Sequence, residues 1–158
     1  MKEAKVFKPI DFSKIDNILN GFLEPFECTA RLSTDFAYFN AENLITYSVA
    51  VASRCEDSFM AFVKDLFPEI DADIFLWSIL HELGHHETED DFDEDEWEDY
   101  MIKSTTVKTD MEYYNLPIER AATEWAGEFM LEHTDEITAL WKELQTAIVE
   151  IYTELKML

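Results

Sequence analysis

The sequence predicts an α+β fold, mainly helical, with a small antiparallel sheet packed on one central helix. Three observations carry that expectation. Apolar residues recur at three- and four-residue spacing in several separate stretches of the chain, the periodicity of buried helix faces. β-branched and aromatic residues crowd into one block between residues 27 and 52, broken by turn-like segments. The stretch from Ile74 to Leu83 is apolar around most of its circumference, so other elements must cover it.

Ile15, Ile18, Leu19 and Phe22 fall at helical spacing and make Asp16 to Phe22 part of a short amphipathic helix, with Gly21 weakening its end. Strands follow at Glu27 to Leu32, Phe36 to Phe39 and Leu44 to Ala52, separated by Ser33 to Asp35 and Asn40 to Asn43. Phe59, Phe62, Val63 and Leu66 place a stripe on a helix from Asp57 to Phe67, which Pro68 stops. Asp71 or Asp73 then caps the apolar helix that begins at Ile74. Pro117 is suited to the first turn of a further helix. From Thr134 to Leu158, Ile137, Leu140, Trp141, Leu144, Ile148, Ile151, Tyr152 and Leu155 define a long packing helix whose stripe would also serve to pair two copies, so the oligomeric state stays open.

With 158 residues, 47% of them hydrophobic, the chain is long enough for one domain spanning residues 1–158. Such a domain buries about two-thirds of its unfolded surface. The first residues lack an apolar run of signal-peptide length, and no stretch reaches the roughly 18 apolar residues of a membrane helix, which argues for a cytoplasmic protein with no membrane partner. Cys28 and Cys55 match no ligand spacing and read as reduced thiols. Acidic residues number 35 against 12 basic ones, a formal net charge of −23, which excludes direct nucleic-acid binding. Ten of the thirteen residues from Glu87 to Asp99 are acidic, predicting a solvated, partly mobile loop, with a lid that closes on substrate as the alternative, and a negative field that draws in basic partners. Asp91, Asp93 and Asp95 start like a calcium loop, but Glu96 stands where the turn glycine is needed and Ile102 where the bidentate Glu belongs.

The chemistry concentrates at His81-Glu-Leu-Gly-His85. Side chains four apart share one helix face, so both imidazoles can reach a single ion at a Zn–N distance of about 2.0–2.1 Å. Glu82, beside the first ligand, can take a proton from water at that ion. In an apolar helix these three polar groups need partners, which favours a metal over a surface histidine pair. Gly84 costs about 1 kcal/mol relative to Ala in a helix, which points to a close backbone approach there, and a third-ligand segment is the natural candidate. His86 points roughly 100° away from the pair. Glu119, in the first turn after Pro117, shares a face with Thr123 on a helix whose Ala121, Ala122, Ala126 and Gly127 offer a small-residue surface. Glu124 is the rival, roughly 140° around from Glu119.

Taken together, His81, Glu82 and His85 followed by Glu119, Ala122, Thr123, Trp125 and Ala126 resemble the Glu-zincins, and among them the ImmA/IrrE-type metallopeptidases, whose pattern is His-Glu-x-x-His and then Glu-x-x-Ala-[Asp/Asn]-x-[Phe/Trp]-Ala. The likeness covers roughly residues 74 to 130. It implies a zincin-like domain and a zinc metallopeptidase, with His81, His85 and Glu119 as metal ligands, Glu82 as general base and a zinc-bound water as nucleophile acting on a protein or peptide. Thr123 departs from the family's Asp or Asn, which supports a ligand, and the family's Leu-Leu-Met-Pro ending is missing. By the same resemblance Leu44 to Ala52 is a candidate edge strand for an extended substrate, the alternative being that the strands only cover the helices. Tyr113 or Tyr114 is a candidate donor to the developing oxyanion. Charge density supports a second reading, an acidic binding protein that mimics nucleic acid and keeps a structural or vestigial zinc site.

Overall fold

A computed structural model describes residues 11–49 and 56–156. It is a mainly helical α+β fold which, among the described residues, has seven α-helices and a three-stranded sheet that packs against α1 and α3. Helix α1 (Ser13–Leu23) buries Ile15, Leu19 and Leu23, the face its apolar spacing predicts. Strands β1 (Thr29–Leu32), β2 (Ala37–Phe39) and β3 (Leu44–Tyr47) come next, then α2 (Glu56–Leu66), α3 (Ile74–Thr88), α4 (Glu94–Thr106), α5 (Asp110–Tyr114), α6 (Pro117–Glu132) and α7 (Thr134–Lys156). Among the described residues no helix is long and apolar enough to cross a membrane.

The sheet is mixed, where the sequence predicts an antiparallel one. Its order is β1-β3-β2, with β1 parallel and β2 antiparallel to β3. Burial explains the rearrangement. All four residues of β3 are buried, whereas β1 and β2 keep exposed positions, so the strand that is apolar on both faces takes the centre. Asn43 in the left-handed region, which Asn tolerates better than most residues, turns the chain into β3. Leu44–Tyr47 is therefore an interior strand rather than an edge, and residues 50–52 of the predicted strand lie outside the described ones.

The two edges differ. On β1, the Asn20 carboxamide of α1 accepts from Ala30 N (2.8 Å) and donates to Ala30 O (3.2 Å), so a helix side chain satisfies the backbone there. On the other side β2 is the last strand of the sheet. The sheet packs on α3 through Phe36 and Tyr47, whose rings meet Phe75 edge-on at 5.5 and 6.1 Å.

Helix α3 carries Asp73 as its N-cap, accepting from Phe75 N at 2.9 Å, and its most extensive helix contact is with α6. Helix α7 buries Ile137, Leu140, Leu144, Ala147 and Ile151, with Tyr152 and Leu155 left outside that stripe. Cys28 is a buried free thiol that burial pushes up to about 11, and Cys55 lies outside the described residues.

The acidic segment is a correction. From Glu94 it forms helix α4 rather than a loop, started by a reciprocal capping box between Asp93 and Glu96. Acidic residues in its first turn complement the helix dipole, and an Asp99–Lys103 pair at 2.8 Å adds support one turn on.

Candidate metal centre

Two helices build the site. On α3, His81 and His85 stand one turn apart with ring centroids 4.7 Å from each other. On α6, Pro117 at the helix start puts Glu119 in the first turn, facing α3. The helices close at Gly84, where an added Cβ would lie 2.3 Å from the Ala122 carbonyl oxygen. Glu119 sits three residues before Ala122, on the same face of α6, so this contact lowers its carboxylate between the imidazoles. The close approach predicted at Gly84 is present, and the backbone of α6 at Ala122 makes it.

Glu119 Oε2 lies 2.9 Å from His81 Nε2 and 3.0 Å from His85 Nε2. One ligand atom from each of the three residues falls within 4.8 Å of the others, and Glu119 is only 3% exposed. Burial works to raise the Glu119 carboxyl, but the two imidazoles outweigh it and hold the group well below the usual carboxylate range. Burial opposes a charge on His85, yet its hydrogen bond to Glu119 prevails and raises that imidazole. For Glu82 burial dominates and raises the carboxyl, against the pull of His81 and His85.

Hydrogen bonds surround the three side chains. Thr123 Oγ1 donates to the Glu119 carbonyl at 3.3 Å and lies 2.9 Å from His81 Nδ1. Thr123 thus meets the His81 ring from α6. It does so without adding a charge. The second oxygen of Glu119, Oε1, accepts from Tyr100 at 2.5 Å and from Tyr113 at 2.8 Å. Two imidazole nitrogens and one carboxylate oxygen, with His81 Nδ1 and Glu119 Oε1 already engaged elsewhere, suit a divalent ion of the zinc type.

Other residues are placed elsewhere. Glu124 pairs with Arg120 at 2.8 Å on the half-exposed side of α6, away from the imidazoles. His86 faces Tyr38 Oη and the Phe26 carbonyl, each at 2.9 Å, and so serves the fold. Tyr113, considered as an oxyanion donor, directs its hydroxyl to Glu119 instead, and the Tyr114 ring stacks on Phe62. Tyr100 escapes sequence reading because it lies in the acidic stretch. Its available signal is the pair Trp97 and Tyr100, three apart on one helix face and in edge contact at 5.8 Å.

Protein-family models, curated proteins and solved structures give no match to this chain. The site's own surroundings must therefore carry the functional reading. Its imidazoles, Glu119, Glu82, Tyr100 and Tyr113 open onto a cleft of about 990 Å³. The opposite wall is residues 34–42, which include edge strand β2. Asp35, Glu42 and Glu89 add carboxylates to the lining.

Proposed function

We propose that this chain is a zinc-dependent metallopeptidase of the Glu-zincin type, similar to the ImmA/IrrE-type enzymes, in which His81, His85 and Glu119 hold the ion and Glu82 is the general base. The observation that carries this reading is the meeting of the three donors from two helices beside Glu82, in a cleft bordered by β2, the outer strand of the sheet among the described residues. When bound, zinc supplies a Lewis acid that polarises a carbonyl and makes water a nucleophile near neutral pH. The chain's residues do the rest. Glu82 takes the proton from water and passes it to the leaving amine. Thr123 meets the His81 ring at Nδ1. Strand β2 offers backbone groups along which an extended peptide can lie across the cleft.

The substrate we infer is a protein or peptide, favoured when basic, because Asp35, Glu42 and Glu89 line the cleft and the acidic helix α4 borders it. Nucleic acid is a poor partner for a net charge of −23. The buried thiol of Cys28 agrees with a cytoplasmic setting.

Purified chain should contain one zinc, lose it to a chelator, and cleave a basic protein such as a histone faster than an acidic one. Zinc without turnover would favour the acidic binding protein with a structural or vestigial site. Ligand choice has its own test. Glu119→Ala should release zinc in dialysis, while Glu124→Ala, which breaks only the Arg120 pair, should keep it. The reverse pattern would transfer the ligand role to Glu124.

A further inference from the structure

Helix α4 contributes no buried residue to the core, yet its Tyr100 reaches the centre of the site. Around that tyrosine, aromatic contacts link the residues of the helix and the turn before it. Trp97 packs edge-on against Tyr100 at 5.8 Å and against Phe92 at 6.5 Å. The Trp97 indole also points at the Glu89 carbonyl, 3.4 Å away. Tyr113 arrives separately, from α5, and its hydroxyl lies 3.4 Å from that of Tyr100. Both hydroxyls donate to the same atom, Glu119 Oε1.

A carboxylate can offer a divalent ion one oxygen or two, and the choice changes both coordination number and the space left for substrate. Here the two oxygens of Glu119 have separate partners, Oε2 toward the imidazoles and Oε1 toward the tyrosines. We propose that Tyr100 and Tyr113 are positioning residues that hold Glu119 as a one-oxygen ligand, and that the acidic helix α4 is thereby part of the metal centre. Charge-assisted O–H···O⁻ bonds of this length are strong, and two on one oxygen stop the carboxylate from rotating to chelate. Each tyrosine has a single proton, committed to the ligand, so neither supplies the oxyanion donor while the site is in this arrangement. The role rests on the zinc reading and adds to it residues from two further elements.

Tyr100→Phe, Tyr113→Phe and the double variant remove the hydroxyls and keep the rings. Zinc affinity is read by competition with a chromophoric chelator, and the visible absorption of the Co²⁺-loaded chain reports coordination number. Each single variant should bind zinc about tenfold more weakly, the range typical of lost ligand-supporting hydrogen bonds, and shift the Co²⁺ bands toward a higher-coordinate spectrum. Thermal unfolding of the metal-free chains reads the stability that each lost hydroxyl costs, while the Co²⁺ bands, which loss of packing alone would not move, read the ligand effect. Zinc affinity within twofold of the unaltered chain in all three variants, with unmoved Co²⁺ bands, would overturn the role while leaving the peptidase reading intact. An unaltered chain that binds no zinc would overturn both.

Discussion

Glu82→Gln is expected to leave about one zinc per chain and to lower peptide cleavage by roughly 10²- to 10⁴-fold, the range general acid–base catalysis contributes. The amide matches the carboxylate in shape but cannot accept a proton, so the loss should fall on kcat rather than on substrate binding. Metal retention follows from the geometry, since the converging donors are His81, His85 and Glu119 and do not include Glu82. Elemental analysis and the kinetics of one fluorogenic peptide decide the matter together. Cleavage at the unaltered rate would remove Glu82 from the mechanism. The same variant separates the two readings of the acidic surface. A stoichiometric binder that works through charge should retain its effect with the base gone, because the variant changes one unit in a net charge of −23. An enzyme should lose it.

Much of this site was legible in the sequence because its information is local. The spacing of His81 and His85 dictates one helix face, Pro117 announces where α6 begins, and an expensive glycine inside an apolar helix marks where a neighbour must come close. The sheet was less legible, since strand order depends on which surfaces cover each strand. The four-residue buried run of β3 belongs in the centre, but the composition and turn residues alone suggested only a small antiparallel sheet. Helix α4 was hidden for another reason. It buries no residue, its face signal is only the short Trp97–Tyr100 pair, and it is stabilised by its Asp93–Glu96 capping box and acidic first turn. Tyr100 was missed with it, because its hydrogen bond to Glu119 joins residues nineteen positions apart and leaves no periodic trace.

Gly84→Ala should destabilise the fold by about 1–3 kcal/mol despite improving local helix propensity, and should loosen zinc at the same time. In an exposed helix this substitution stabilises by up to about 1 kcal/mol. At Gly84 the new methyl meets backbone, with Ala122 O at 2.3 Å and Ala122 C and Cα each at 2.9 Å. No rotamer change can relieve a clash with a main chain, so α6 must move away from α3. That motion carries Glu119 off Oε2 contact with both imidazoles, which is why stability and metal affinity should fall together. Gly21→Ala is the internal control. It lies in α1 with nothing within 4 Å of the added Cβ, so propensity alone acts and melting temperature should rise. Thermal unfolding of the metal-free variants, at roughly 2–4 °C per kcal/mol for a chain of this size, resolves the opposite signs. Two increases would mean that α3 and α6 do not pack through Gly84, and the basis for bringing Glu119 to the histidines would go with that contact.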